Sequence, residues 1–214
     1  MILIVVQLLF SYLLGSIPSS LIAGKVMRGI DIREHGSGNA GGTNTFRVLG
    51  WKAGLIVSLF DIVKGFIAVF YIANWELVSS HFPVHEDFVR IACGSVAILG
   101  HIWPLFAGFR GGKGVATAAG MMIALFPEAM AYAFLVFGIV LWITKYVSLS
   151  SILGVVTVPI ALFIMRFHLD REITDNLLVF STSIFFLILM THMSNIKRLL
   201  KGTESRIGKK KSKI

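Results

Sequence analysis

The sequence predicts an all-α polytopic membrane protein with about seven transmembrane helices. Of its 214 residues, 56% are hydrophobic and only 14% are charged, and the mean hydropathy is +0.81. Apolar stretches of about 20 residues, the length at which a helix crosses the bilayer core, recur along the whole chain. They leave no room for a separate soluble domain. We therefore expect one integral-membrane domain over residues 1–204 and a basic tail over residues 205–214.

The apolar stretches and the polar loops between them predict the helices in chain order. These are Ile2–Gly24, Trp51–Asn74, Phe88–Gly108, Val115–Met130, Ala131–Tyr146, Leu149–Phe167 and Asn176–Met193. The first stretch has neither a basic segment before it nor a small-residue cleavage site after it, so it is interpreted as a retained helix and not as a signal peptide. The fourth and fifth helices are short and are separated only near Pro127 and Glu128.

The distribution of basic residues predicts the orientation. Sixteen of the 20 Lys and Arg residues fall in the tail and in the loops after helices one, three and five, whereas the opposite loops hold only Arg90, Arg166 and Arg171. Because cytoplasmic loops carry an excess of Lys and Arg, the N-terminus is predicted outside and the C-terminus in the cytoplasm. This topology explains the net charge of +9 without a nucleic-acid partner. The tail lysines are expected to meet anionic lipid headgroups.

Two glycine-rich basic loops are predicted on this cytoplasmic face. They read GSGNAGGTNTFR over residues 36–47 and GHIWPLFAGFRGGKGVAT over residues 100–117. Glycine allows backbone N–H groups to approach a ligand closely, and a nearby Arg or Lys adds fixed positive charge. Arg47 can hold a phosphate with two parallel hydrogen bonds, and Lys113 adds a point charge. Both loops are interpreted as phosphate-binding sites; the alternative is ordinary polar loops with helix-packing glycines and topology-setting cations.

Neither loop has the context of a nucleotide site. Gly36, Gly38 and Gly41 match the dinucleotide pattern G-x-G-x-x-G, but that pattern is informative only between a strand and a helix. Here it follows a charged loop after a membrane helix. The second loop resembles a Walker motif, yet Ala107 replaces its first glycine and Gly114 replaces its Ser or Thr. A more general anion site is therefore predicted.

Polar residues within or beside the helices are further candidates. Asp61 and Lys64 lie three residues apart on one face of the second helix, where a buried charge costs about 2.5–3.5 kcal/mol. The pair is therefore expected to be mutually satisfied or to face the bundle interior, as structural support for a site. His192 and Asn195 share a face near the end of the seventh helix and serve either interhelical bonding or function. Ser148 is either a helix cap or a residue of the same site.

No metal site or other cofactor is expected. The six histidines are scattered, and no Cys/His cluster occurs in the sequence. His81 and His85 are predicted in an outer loop, while His101 on its own would be a capping or interface residue. The single Cys93 excludes an intramolecular disulfide, and its apolar neighbours favour a packing role over that of a nucleophile.

The motifs resemble those of the bacterial acyl-phosphate:glycerol-3-phosphate acyltransferases, the PlsY family. Residues 36–47 are similar to the family's GSGNxGATNxxR, with Gly42 where Ala is usual, and residues 100–117 to GHxxPxFxxFKGGKGVAT, with Arg110 for the usual Lys. Residues 192–204, HMSNIKRLLKGTE, fit HxxNIxRLxxGxE without departure. The resemblance runs from about Tyr12 to Glu204, and both departures preserve size or charge.

This resemblance implies a seven-helix enzyme of the bacterial inner membrane with its active site at the cytoplasmic face. The enzyme would transfer a fatty acyl group from acyl phosphate to the 1-hydroxyl of glycerol 3-phosphate, giving lysophosphatidic acid and phosphate. The catalytic residues would be Ser37, Arg47, Lys113, His192 and Asn195. The substrate-binding residues would be Gly36, Gly38, Asn39, Thr43, Asn44, His101, Arg110, Gly111, Gly112, Gly114 and Ser148. Structural roles are expected for Asp61, Lys64 and Glu204.

Two other functions are considered against this one. A transporter for phosphate or another anion would place its polar groups near the bilayer midplane in paired halves, whereas here they crowd one face and no internal repeat is found. An acyl-CoA acyltransferase of the soluble type uses a His and an Asp five residues apart, and no His in this chain has an Asp at that spacing. The acyl-phosphate reaction is therefore favoured.

Overall fold

The computed structural model describes residues 2–75 and 86–208, and the regular elements within those ranges are helical. The helices are α1 (Ile2–Gly15), α2 (Ser19–Arg28), α3 (Gly42–Leu49), α4 (Trp51–Ile67), α5 (Glu86–Ile102), α6 (Val115–Leu125), α7 (Pro127–Thr144), α8 (Val147–His168), α9 (Asp175–Thr191) and α10 (Met193–Leu200). Short 3₁₀ turns cover Ile32–Glu34 and Leu105–Ala107, and a π-helical turn, Ala68–Ile72, extends α4.

The chain forms two compact units, Met1–Phe126 and Pro127–Ile214. Among the described residues, five helical segments are long and apolar enough to cross a membrane, or six if the bent pair α9–α10 counts as one crossing. The prediction of an all-α multi-pass membrane protein is confirmed. The outer loop with His81 and His85 lies outside the described residues.

The first span is interrupted where a single helix from Ile2 to Gly24 was predicted. α1 ends at Gly15, and α2 restarts at Ser19 directly after Pro18. Proline has no N–H and clashes with the preceding turn of a helix, so the backbone bonds are broken here. A carbonyl released by this break, that of Ile17, accepts a hydrogen bond from Lys64 Nζ at 3.3 Å. The interruption thus provides a partner for a charged side chain of α4.

The boundary between the fourth and fifth helices differs from the prediction. α6 ends at Leu125 and α7 begins at Pro127, so the predicted boundary after Met130 is wrong. Proline at the first helical position needs no N–H, and its fixed φ suits the start of a helix. α6 is therefore only 11 residues long, about 16 Å. Its last turn is held by Arg90, whose Nη2 donates to the Ala124 carbonyl at 3.0 Å.

Glycines allow α6 to pack closely against α4. A side chain added at Gly65 would collide with the Thr117 carbonyl, and one added at Gly120 would collide with the Ile62 carbonyl. The two backbones therefore approach each other with only hydrogen atoms between them, as is common where membrane helices cross. This contact fixes the position of the glycine-rich loop that leads into α6.

Two short amphipathic helices, α3 and α10, fall in segments that the sequence assigns to a loop or to the tail. Each has eight residues, too few to be recognised from apolar length. α3 buries Leu49 with Ile32 and Ala53 in a small core beneath the first glycine-rich loop. α10 leaves the end of α9 at a bend of 61°. These helices, and not the long spans, carry several of the predicted site residues.

Candidate active site

The first glycine-rich loop is organised by the buried side chain of Asn44. Its Oδ1 accepts hydrogen bonds from the Ser37 backbone N–H at 2.7 Å and from the Ser37 hydroxyl at 3.1 Å. Its Nδ2 donates to the carbonyls of Ile32 and His35, at 2.9 and 3.0 Å. Asn44 is only 1% exposed, and both its amide oxygen and its amide nitrogen are hydrogen-bonded to the loop or to the turn just before it. These hydrogen bonds support a positioning role for Asn44, and its contact with substrate stays a prediction.

This arrangement leaves the other polar groups of the loop accessible. Ser37 is exposed, and Asn39, Thr43 and Arg47 are half-buried. Arg47 lies in the last turn of α3, three residues after Asn44. Ser37, which bonds to Asn44 and is exposed to solvent, can contact a bound anion without a change in the fold. The catalytic roles of Ser37 and Arg47 stay predictions.

The second glycine-rich loop folds back on the end of α5. The N–H of Gly111 donates to the Ile102 carbonyl and that of Gly112 to the His101 carbonyl, both at 3.1 Å. A side chain at Gly111 would meet the His101 carbonyl, and one at Gly112 the His101 ring. These glycines are required for close backbone approach. Their amides are engaged within the loop, and a role for these glycines in binding phosphate stays a prediction.

A left-handed turn precedes these glycines. Gly108 has a φ of 62° and Phe109 a φ of 59°, a region that a bulky aromatic residue rarely occupies. The turn is closed by the Phe109 N–H, which donates to the Pro104 carbonyl at 2.9 Å. Arg110, exposed, and Lys113, half-buried, follow it. The conformation of the turn thus sets the direction in which the cationic part of the loop leaves α5.

An arginine that the motifs do not include reaches the second loop from the segment just before the first loop. Arg33 forms a fork with Asp31, in which Nη2 lies 2.7 Å from Oδ2, and its Nη1 donates to the Ala107 carbonyl at 2.8 Å. The hydrogen bonds from Arg33 hold the pKa of Asp31 at about 2, below its ordinary value. Sequence spacing could show the Asp31–Arg33 pair but not the contact with Ala107, which is 74 residues away.

Beneath the loops, three groups converge on one carboxylate oxygen. Oδ1 of Asp61 accepts from the Ser19 hydroxyl at 2.8 Å, lies 2.9 Å from Lys64 Nζ and 3.5 Å from Nδ1 of His101. Asp61 is 1% and Lys64 2% exposed. Their expected mutual pairing inside the bundle is present, as an ion pair three residues apart. His101 is buried and contacts Asp61 in this cluster. Ser19 is the member of the cluster that the sequence did not indicate.

A small recess lies above this cluster, within the first unit. The residues that line it include Ser19, Ala40, Lys64, His101 and Gly111. It therefore brings together a residue of the first glycine-rich loop, a residue of the second, and the buried ion pair. Charged groups at the base of such a recess are held by their partners and need no reorganisation when a ligand arrives.

In the second unit, Glu204 is the centre of a separate polar cluster. Its Oε1 accepts from Asn195 Nδ2 at 2.9 Å and from the Ser148 hydroxyl at 3.1 Å, and its Oε2 from Arg198 Nε at 2.6 Å. Burial opposes ionisation of this carboxyl, but the hydrogen bonds from Arg198 and Asn195 outweigh it and lower the pKa of Glu204. The geometry supports a structural role for Glu204, which orients Asn195 and holds Ser148.

His192 stands at the junction of α9 and α10 and is 2% exposed. Its Nδ1 lies 2.8 Å from the Ile188 carbonyl, a contact that requires a proton on Nδ1. Across residues 2–75 and 86–208, no group of three His, Cys, Asp or Glu side chains is placed to hold a metal ion.

Comparison with known proteins gives one consistent family. The family model described as glycerol-3-phosphate acyltransferase matches residues 5–202. A glycerol-3-phosphate acyltransferase of Chlorobaculum tepidum is 44% identical, over 92% of this chain and 93% of the relative. That of Chlorobium chlorochromatii is 43% identical, over 94% of this chain and 95% of the relative.

Solved structures agree with the sequence matches. The crystal structure of PlsY, an integral membrane glycerol 3-phosphate acyltransferase, in its glycerol 3-phosphate form has a TM-score of 0.82 and 39% identity, covering 96% of each chain. The lysophosphatidic acid form has a TM-score of 0.80 and 38% identity, covering 96% of this chain and 95% of that one. The resemblance of the three motifs is confirmed, and the chain belongs to the PlsY family of integral-membrane glycerol-3-phosphate acyltransferases.

Proposed function

We propose that this protein transfers a fatty acyl group from acyl phosphate to the 1-hydroxyl of glycerol 3-phosphate. The products are lysophosphatidic acid and inorganic phosphate, and the reaction is the first step of bacterial phospholipid synthesis. The names of the similar proteins support the acceptor and the product, because PlsY structures are described in a glycerol 3-phosphate and a lysophosphatidic acid form. One observation carries the proposal: the two glycine-rich loops, which bear Arg47 and Lys113, lie in one unit, where Ala40 of the first and Gly111 of the second line one recess.

The donor is proposed from chemistry and from the motifs. An acyl phosphate is a mixed anhydride and is already activated, so the protein has to orient it and stabilise charge and does not have to supply a nucleophile. The hydroxyl oxygen of glycerol 3-phosphate attacks the acyl carbon, and the bond from that carbon to the phosphate oxygen breaks. The hydroxyl proton passes to the leaving phosphate, so atoms and charge balance without a cofactor.

The residues of the first unit take the following roles in this proposal. Lys113 and the loop around it hold the donor phosphate, with Arg110 at its exposed edge. Ser37 would turn its hydroxyl proton from Asn44 Oδ1 to the developing negative charge, and Arg47 binds a phosphate through its two-pronged guanidinium. In the second unit, His192 and Asn195 contribute to acceptor binding, and Glu204 fixes the orientation of the Asn195 amide.

The membrane topology is part of the proposal. Among the described residues there are six candidate crossings if α9–α10 is counted as one. The short apolar helix α6 brings the number to seven. With the basic loops inside, the N-terminus is outside and the active site is cytoplasmic, in the inner membrane. Glycerol 3-phosphate is then available from the aqueous side, and the acyl chain from the lipid side.

The decisive experiment measures lysophosphatidic acid formed by the purified protein. Glycerol 3-phosphate is supplied with either palmitoyl phosphate or palmitoyl-CoA, in detergent and in proteoliposomes. We expect product and stoichiometric phosphate with palmitoyl phosphate only. Product from palmitoyl-CoA alone would overturn the choice of donor. Uptake of phosphate into proteoliposomes without any product would favour a transporter.

Direct transfer without an acyl-enzyme is a second expected property. Cys93 is fully buried, and the hydroxyl of Ser37 is bonded to the amide oxygen of Asn44 and not to a general base. Cys93→Ala should therefore stay active. Incubation with palmitoyl phosphate alone should leave the intact mass of the protein unchanged. A stoichiometric acyl adduct on Ser37 that glycerol 3-phosphate discharges would contradict direct transfer.

A further inference from the structure

We propose that Asp31 and Arg33 form a positioning clamp that sets the conformation of the second glycine-rich loop. Through that loop they determine the affinity for the acyl-phosphate donor, although neither residue contacts substrate. This inference rests on the proposed function, in which the loop holds the donor phosphate. Asp31 and Arg33 lie before the first motif and take no direct part in the proposed reaction.

The clamp begins with a fork between Arg33 and Asp31. Nε of Arg33 lies 3.1 Å from each carboxylate oxygen, and Nη2 lies 2.7 Å from Oδ2. The Arg33 backbone N–H also donates to Oδ1 at 2.9 Å. Because three of these contacts hold the guanidinium and the fourth holds the carboxylate, the remaining nitrogen, Nη1, has a defined direction. Side chains that are held in this way position their contacts at little further cost in entropy.

Nη1 of Arg33 points into the turn that precedes the glycines. It donates to the Ala107 carbonyl at 2.8 Å and lies 3.4 Å from the Arg110 carbonyl. These two carbonyls flank Gly108 and Phe109, the residues with positive φ. Arg33 therefore bridges both ends of the left-handed turn. Without this donor, the two carbonyl dipoles would be less favourably placed, and the turn would lose its contact with the segment that precedes the first loop.

Phe109 shows why the turn needs such support. Its φ of 59° is unfavourable for a bulky side chain and persists only when surrounding contacts hold it. Its own N–H bond to Pro104 and the bonds of Gly111 and Gly112 to the end of α5 are backbone contacts within the loop. Arg33 adds an anchor on a different segment of the unit. Relaxation of the turn would shift Lys113, four residues further along.

The first experiment measures steady-state kinetics of the full-length protein in detergent. Arg33→Gln and Arg33→Lys should each raise KM for palmitoyl phosphate about tenfold, while kcat and KM for glycerol 3-phosphate change less than about twofold. Lysine keeps the charge but cannot make the fork and reach the turn together, so it should not rescue. Arg28→Gln, at the exposed end of α2, is the matched control and should behave as wild type.

A suppressor variant separates the clamp from a general structural role. Phe109→Gly removes the cost of the positive φ, since glycine occupies that region freely. Added to Arg33→Gln, it should restore KM for palmitoyl phosphate to within about threefold of wild type. A clamp on any other part of the protein would not be relieved at position 109. Failure of the suppressor, or an equal rise in both KM values, would overturn the proposal.

Hydrogen–deuterium exchange tests the clamp independently of activity. The peptide over residues 103–114 should exchange faster in Arg33→Gln than in wild type, and peptides of α8 should be unchanged. If wild-type protein makes no product from palmitoyl phosphate, the proposed function fails while this exchange result still decides the clamp. Equal exchange of residues 103–114 in both proteins would overturn the clamp even if the enzyme is active.

Discussion

At the scale of single residues, the most instructive contrast is between Arg47 and Arg33. Arg47 belongs to a motif and is half-buried in the last turn of α3, and the sequence alone identifies it as a candidate phosphate ligand. Arg33 contacts Ala107, a partner 74 residues away. Spacing rules detect partners three or four residues apart on one helix. They found Asp61 with Lys64, but not the two longer-range contacts made by Arg33 and Ser19.

Substitution of Arg47 by Lys tests its two-pronged contact. Because Lys keeps the charge but offers only a point contact, we expect kcat/KM to fall roughly ten- to a hundredfold, the effect of losing one charged hydrogen bond of about 1.5–3 kcal/mol. Lys52→Arg, at the exposed start of α4, is the control and should change little. Wild-type kinetics for Arg47→Lys would remove Arg47 from the site.

Asn44 allows a test of positioning against binding. Asn44→Asp retains an acceptor for Ser37 but replaces the donor to the Ile32 and His35 carbonyls with a repelling oxygen. Leaving these carbonyls without a donor should cost about 1–3 kcal/mol, measured by thermal unfolding in detergent. Asn176→Asp, at an exposed position in the first turn of α9, is the control. If unfolding is unchanged and only KM rises, Asn44 binds substrate after all.

At the scale of elements, length and neighbouring prolines decided which predictions held. The helix α8 was located to within two residues, because an apolar stretch of that length has no other stable state in a bilayer. The end of α5 was predicted at Gly108 and lies at Ile102. α3 and α10 were missed because eight residues carry too little periodicity. The start of α7 was misplaced because Pro127 was taken as a separator and is instead the first helical residue.

The close contact between α4 and α6 can be tested at its glycines. Gly120→Ala would place a methyl group against the Ile62 carbonyl, and such overpacking should destabilise the protein by about 1–3 kcal/mol. Gly138→Ala in α7 is the matched control, since nothing lies within 4 Å of an added Cβ there. Unfolding of purified variants in detergent gives the comparison. A Gly120→Ala variant as stable as Gly138→Ala would show that the helices separate at no cost.

At the scale of the whole molecule, the proposed orientation in the membrane rests on the charge bias of the loops. In a Cys93→Ala background, a cysteine at position 170 should react with an impermeant maleimide from outside intact cells, and one at position 50 should not. Asp170 follows α8 and Gly50 precedes α4, so each lies at a helix end and is exposed. The reverse labelling pattern would place the glycine-rich loops outside and overturn the cytoplasmic active site.

The interruption of the first span has a consequence for the order of membrane insertion. A charged side chain near the centre of a helix costs about 2.5–3.5 kcal/mol as it enters the bilayer, and α4 carries both Asp61 and Lys64. Their earliest partners, the Ser19 hydroxyl and the Ile17 carbonyl, belong to a segment that the ribosome makes some 40 residues before. The broken span, which carries these polar partners, is thus already in the membrane when α4 is inserted. The polar partners of the Asp61–Lys64 ion pair are thus synthesised before the helix that carries the pair.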